Sequence, residues 1–235
     1  MRFMVMHKTD ALMETGGPPP ERIMQKMGQY IQGAIAAGEF QDGAGLHRSA
    51  LRVRLTWVGG ARTVTRGPYP GVHELIAGFA AVKAASMEHA IEIATEVAAA
   101  LGDGEIEIGP IVEPWDLGVM PRPADAPQRF LLLRKADAAF EAGAPQPAAV
   151  AQVLDRLSND GVLSSAVTLA PSSAGARYRK TAGKRAWTDG PFAESKELVA
   201  GFSIIEVPSL AAARAWAEAY AEILGDNEVD VRRVA

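Results

Sequence analysis

Glu74-Leu75-Ile76-Ala77-Gly78-Phe79 recurs as Glu197-Leu198-Val199-Ala200-Gly201-Phe202. Thr65-Arg66-Gly67-Pro68-Tyr69 recurs as Thr188-Asp189-Gly190-Pro191-Phe192, and Leu101-Gly102-Asp103 as Leu224-Gly225-Asp226. The three pairs keep one spacing, since 197 − 74, 188 − 65 and 224 − 101 each give 123. A match held in register over that distance marks an internal duplication, which sets the domain count and makes each half a control on the other.

Working outward, each half opens on a short apolar run, Phe3-Met4-Val5-Met6 and Phe130-Leu131-Leu132-Leu133. Lys8-x-Asp10 and Lys135-x-Asp137 follow, at a spacing of 127 (135 − 8). Four apolar residues bounded by charge suit a buried central strand. Proline clusters come next, then a helical stripe. Ile23, Met27, Tyr30, Ile31, Ala34 and Ile35 form it in the first half; Val150, Val153, Leu154 and Leu157 form it in the second. Gly38 and Gly161 are placed to end these helices. The spacing drops from 127 to 123 across this segment, so the second copy lacks four residues, or about one helical turn.

Beyond the glycines, Arg52-Val53-Arg54-Leu55-Thr56-Trp57 alternates as a half-buried strand does. Its counterpart Arg177-Tyr178-Arg179-Lys180 is shorter. Gly59-Gly60 and Ala182-Gly183 suit hairpin turns. Residues 75–82 and 198–207 read as strands, Ser86 and Ser209 as N-caps of the helices that follow, and residues 105–108 and 228–231 as final strands. The resulting order is close to β-α-β-β-α-β, the split β-α-β of a ferredoxin-like domain. The expected architecture is α+β: two tandem ferredoxin-like domains over 1–114 and 128–235, joined by a proline-rich linker over 115–127. Helices on one face leave the other sheet face bare, so a partner is needed. The sister copy supplies it in a back-to-back pseudo-dimer; a second chain, in a homodimer, is the alternative.

Apolar residues make up 48% and charged residues 22% of the 235, ordinary values for a globular protein. The net charge of −4 argues against nucleic-acid binding, and no apolar run is long enough for a membrane span. With no cysteine, disulfides, thiolate nucleophiles and cysteine metal sites are excluded. A cytoplasmic location is expected, with no signal segment.

The stretch Thr188-Asp189-Gly190-Pro191-Phe192-Ala193-Glu194-Ser195-Lys196-Glu197 resembles the signature of the YCII-related family, in its DGPF branch. The first half resembles it in degenerate form, with Arg66 for the Asp and Tyr69 for the Phe. It keeps Gly43-x-Gly45-Leu46-His47-x-Ser49, which resembles the segment the family places before its hairpin; the second half has Leu169-Ala170-Pro171-Ser172 there. The resemblance implies a ferredoxin-like fold of the dimeric α/β-barrel kind. It implies little about function: the family is mostly uncharacterised, a His–Asp pair is suspected as catalytic in some members, one branch dehydrochlorinates, and others sit beside sigma factors.

His47 and Asp189 are therefore the candidate catalytic pair. A His held by a carboxylate suits acid–base work near neutral pH. They lie in different halves, so they meet only across an interface. The plainer alternatives are a turn residue for Asp189 and a polar loop residue for His47. His7, at the end of a buried strand where the second half has Arg134, and Arg66, placed to complement an anion or to pair with Asp189, are candidate ligand-binding residues. Scattered His residues without ligand spacing predict no metal, and no phosphate-binding glycine motif predicts a nucleotide, so no cofactor is expected. Two functions follow: a lyase- or hydrolase-like enzyme for an unknown small molecule, with its site in an inter-repeat cleft, or a non-catalytic ligand-binding or regulatory module linked to sigma-factor-type regulation.

Overall fold

The computed structural model describes residues 1–71, 73–192, 195 and 197–235. Ala193, Glu194 and Lys196 of the quoted signature lie outside the described residues. The first half runs β1 (Arg2–Lys8), α1 (Ala11–Glu14), α2 (Glu21–Ala36), β2 (Phe40–Leu46), β3 (Val53–Val58), β4 (Ala61–Arg66), β5 (Ile76–Lys83), α3 (Met87–Leu101) and β6 (Gly104–Val112). The second repeats it as β7 (Arg129–Lys135), α4 (Ala138–Glu141), α5 (Ala148–Asn159), β8 (Leu163–Thr168), β9 (Ala176–Thr181), β10 (Lys184–Asp189), β11 (Val199–Glu206), α6 (Leu210–Leu224) and β12 (Asn227–Arg233).

Local chemistry accounts for most of these elements. The side chains of Ser86 and Ser209 accept from His89 N and Ala212 N, capping α3 and α6. The hairpins turn at Gly59-Gly60 and Ala182-Gly183. Helix α2 has 16 residues and α5 has 12, so the missing four are one helical turn. The weakly patterned second copy of the hairpin forms a full strand, β9, because β10 and β12 pair with it on either side.

The strands make two antiparallel layers of mixed parentage. One has the order β10-β9-β12-β1-β11-β2, the other β4-β3-β6-β7-β5-β8. Each layer combines the first two strands of one repeat (β1 and β2, or β7 and β8) with the last four of its sister. Helices follow the same exchange. Tyr30 of α2 donates its hydroxyl to Trp216 O of α6, at 2.7 Å, and Leu157 of α5 shares a core with Ile93 and Val97 of α3. One sheet per repeat, the arrangement expected from sequence, is therefore corrected to two composite sheets. The linker explains the exchange. Arg129 grips Glu113 through two bonds of 2.7 Å, so the chain leaves β6, turns back and lays β7 antiparallel beside it, with Pro110 opposite Phe130.

β7 shows why these strands are central. Phe130 and Leu132 enter the core beneath α3 and α5, while Leu131 and Leu133 enter the core between the layers. Successive side chains point to opposite faces, so the apolar run is buried on both. Phe79 and Phe202, equivalent residues, meet between the layers with ring centroids 4.6 Å apart; deleting either ring costs about 3–5 kcal/mol. Two seams join the layers, Leu46 opposite Ile111 and Leu169 opposite Val234. Adding 123 to the first pair gives the second.

Among the described residues, no helix is long and apolar enough to cross a membrane.

Candidate functional site

The largest investment in buried charge is duplicated. In one layer Lys8 Nζ lies 3.0 Å from Asp230 Oδ2 and 3.0 Å from Ser195 Oγ, and Arg177 Nε lies 2.6 Å from Asp230 Oδ1. In the other, Lys135 meets Glu74 and Glu107, Arg54 Nη2 lies 2.8 Å from Glu74 Oε1, and Arg52 Nη1 lies 3.0 Å from Glu107 Oε1. Burial alone would raise the Glu107 carboxyl, but Lys135 and Arg52 outweigh it and hold it at about 2. For Asp230 burial is likewise outweighed, here by Lys8 and Arg177, with the same result of about 2. Such groups stay ionised in the interior because each is paired.

The signature loops cover these clusters. The Tyr69 ring lies 4.2 Å from the Arg54 guanidinium, and the Phe192 ring 4.4 Å from that of Arg177. Gly67 and Gly190 allow the loops to close: a Cβ at either would run into the carbonyl oxygen of Ser49 or Ser172. The motif's glycine and aromatic thus serve the buried arginine.

His47 sits just past β2, its backbone N–H donating to Pro110 O at 3.1 Å. Its Nε2 lies 3.3 Å from Asp116 Oδ2, and that oxygen also accepts from Glu113 N at 2.9 Å. Both side chains are about one-third exposed, at 30% and 32%. They line a cleft of ≈ 370 Å³ with His7, Arg48, Arg52 and Ala200. Beyond His47 lies a second hollow of ≈ 420 Å³, walled by Arg52, Arg66, Gly67 and Phe130. Arg52 belongs to both walls. It is buried, donates from Nε to His47 O at 2.6 Å and from Nη1 to Val199 O at 2.7 Å, and its Nη2 meets no acceptor among the described residues.

The four residues singled out from sequence are distributed as follows. His7 and His47 share the first cleft; Arg66 and His47 share the second hollow. Asp189 is 74% exposed and pairs with Arg214 of α6, so the carboxylate beside His47 is that of Asp116, from the folded linker. Arg66 pairs with Glu88 at 3.1 Å on the surface. His7 Nδ1 lies 2.8 Å from the Tyr220 hydroxyl, and burial lowers its pKa to about 4 against a smaller opposing effect of Asp10, so it is a neutral imidazole at pH 7. Among the described residues no group of three His, Asp or Glu could hold a metal.

Asp116, Arg52 and the buried lysines were not singled out. The lysines carried a signal, because Lys8/Lys135 and Arg54/Arg177 recur at the repeat spacings. Asp116 carried none: it lies in an aperiodic segment with no counterpart.

A family model for the YCII-related domain matches the chain twice, over residues 1–115 and 129–234. No curated protein and no solved structure matches it.

Proposed function

Because the chain belongs to the YCII-related family through both of its halves, we propose that it is a small-molecule enzyme performing acid–base chemistry, lyase- or hydrolase-like, in the cleft where His47 meets Asp116. The observation that carries this reading is the 3.3 Å approach of His47 Nε2 to Asp116 Oδ2 at the mouth of that cleft. An ionised carboxylate only accepts hydrogen bonds. Asp116 therefore selects the tautomer with the proton on Nε2 and leaves Nδ1 as the basic nitrogen, able to take a proton from a carbon acid or from water. Arg52, in the wall of the same cleft, supplies fixed positive charge behind it, which favours a substrate that is anionic or becomes so.

The same proposal gives each layer a ferredoxin-like core. The orders β12-β1-β11-β2 and β6-β7-β5-β8 support it, each interleaving two outer with two inner connections. The two seams support a barrel-like closure within one chain, since they engage edges that a second chain would otherwise cover.

The test is proton exchange. A panel of small carboxylic acids and esters is incubated in deuterated water with the protein and followed by NMR. Exchange or turnover of at least one member, falling about 10²–10⁴-fold in His47→Ala, is expected of a lost general base. Undiminished turnover in that variant, or none of the panel altered by the native protein, counts against the proposal.

A further inference from the structure

The two halves differ most where aromatic packing in one becomes aliphatic in the other. Between α2, α6 and β1, the rings of Tyr30, Trp216 and Tyr220 pack together with centroids 5.1–6.5 Å apart. Tyr220 then bonds His7 at 2.8 Å. The residues at the same places in the sister unit are Leu157, Ile93 and Val97, and Arg134 stands for His7. Of these three, Val97, in the place of Tyr220, lines a pocket of ≈ 130 Å³, walled also by Phe79, Leu132, Leu154 and Val167 and reaching Arg134. It continues past Arg134 and Gln146 into an outer cleft of ≈ 200 Å³.

Arg134 makes no direct ion pair among the described residues, although the Asp137 carboxylate lies near enough to favour its charge. Its Nη2 approaches Ala77 O at only 3.5 Å, and its guanidinium lies 5.3 Å from the Phe140 ring. The acids lining the outer cleft are engaged elsewhere. Asp103 accepts from Gly59 N and Gly60 N at 2.6 and 3.2 Å, Glu105 pairs with Arg54 at 3.1 Å, and Asp137 accepts from Phe140 N at 2.7 Å. Gln146 accepts at Oε1 from Thr168 Oγ1 at 3.1 Å, which leaves its NH₂ group as a donor at the rim. An inner apolar pocket with one unpaired guanidinium at its mouth has the chemistry of a site for an apolar acid: guanidinium pairs with carboxylate through two parallel bonds.

We propose that this cleft is a second ligand site, separate from the His47 cleft, which takes a small carboxylate with an apolar body. The carboxylate meets Arg134, in the role the Tyr220 hydroxyl has toward His7, and the body fills the pocket beside Val97, where the sister unit carries the Tyr220 ring. The ≈ 130 Å³ pocket is close to the ~150 Å³ that admits a benzene ring, so benzoate is the natural probe. The site stands on Arg134 and Val97 and does not depend on any chemistry at His47.

The experiment is a titration of the intact chain with benzoate, with benzyl alcohol as the uncharged counterpart, read from the methyl signals of Val97, Leu154 and Val167. Expected are saturable shifts with benzoate in the native protein and in His47→Ala. Arg134→Gln should weaken the response at least about tenfold, the loss of a charge-assisted bond worth ~1.4 kcal/mol or more. Val97→Tyr, which restores the ring found in the sister unit, should abolish it. If Val97→Tyr does not fold, Arg134→Gln still decides. Methyl signals that stay still at millimolar benzoate, or that move equally in Arg134→Gln, overturn the proposal, as does benzyl alcohol binding as well as benzoate.

Discussion

Arg52 and Arg232 do the same task from positions that are not equivalent. Arg52 Nε donates to His47 O at 2.6 Å and Arg232 Nη2 to Ala170 O at 2.8 Å, and 170 − 47 is the repeat spacing of 123. Yet the position matching Arg52 is Gly175, and the position matching Arg232 is Gly109. Each arginine lies against the glycine that occupies the other's place: Gly109 faces the Arg52 side chain and Gly175 that of Arg232. Arginine and glycine have changed places between neighbouring strands, and each guanidinium still reaches the equivalent carbonyl.

The two arginines should respond differently to removal of charge. Arg52 supports Glu107, a buried carboxylate that keeps Lys135 and Arg54 without it, and also bonds His47 O and Val199 O, so Arg52→Met should destabilise by about 1–3 kcal/mol, the cost of buried acceptors left unmatched. Arg232 is equally buried, but its Nε and Nη1 meet no acceptor among the described residues and Glu141 is 3.5 Å away. Arg232→Met should cost less than Arg52→Met, because Glu141 is partly exposed and keeps its bonds to Ser172. Urea unfolding midpoints of the two variants check this; equal losses would contradict it.

Gly190→Ala and Gly67→Ala should each destabilise by about 3 kcal/mol or more, at the upper end of overpacking costs. The obstruction is backbone, the carbonyls of Ser172 and Ser49, and cannot rotate away. Gly38→Ala has open space but a φ of +73°, and should cost only ~1 kcal/mol. Thermal denaturation of the three variants orders them.

His7 predicts a pH dependence. Its pKa is about 4 in the folded protein against 6.5 for a free side chain. Above pH 6.5 the imidazole is neutral in both states and contributes nothing to the dependence. As pH falls from 6.5 to 4 the unfolded chain takes the proton first, so stability declines, by at most about 3 kcal/mol, and levels off below 4. The double variant His7→Phe/Tyr220→Phe, which also removes the hydroxyl that would be orphaned, should flatten this window. Asp230, held at about 2 against an ordinary 3.8, contributes stability above 3.8 that is lost as pH falls toward 2, so its window is separate. Unfolding free energies across pH 2–8 test both.

The approach of the Asp116 carboxylate to His47 Nε2 predicts which tautomer His47 adopts. Nitrogen-15 spectra should show the proton on Nε2 in the native protein, and a mixture in Asp116→Asn, whose amide can donate as well as accept. Asp189→Asn should leave the His47 signals unchanged, because Asp189 pairs with Arg214. Movement of those signals in Asp189→Asn alone would restore the pairing expected from sequence.

Much of the fold was legible because it rests on near neighbours. Ser86 and Ser209 cap helices through bonds three residues away, and the four-residue deletion shows directly as a helix one turn shorter. The site was less legible. His47 was marked by its motif, but a motif aspartate was taken as its partner. The actual partner belongs to a linker without pattern, and no local rule ties residue 116 to residue 47. The pocket at Arg134 was foreshadowed by the His7-to-Arg134 exchange, but its walls are built from Val97 of α3 and Val150 and Leu154 of α5, which only the packed structure brings together.

By itself, then, the sequence determined the duplication, the elements and their caps, since sterics, period and turn chemistry act over a few residues. Only the tertiary structure decided which sheet β7 joins and which carboxylate His47 meets. Phe130, Leu131, Leu132 and Leu133 are apolar on both faces, which suits a central strand of either layer. The choice fell to the linker, where Glu113 and Arg129 turn the chain back on itself and bring Asp116 to the cleft.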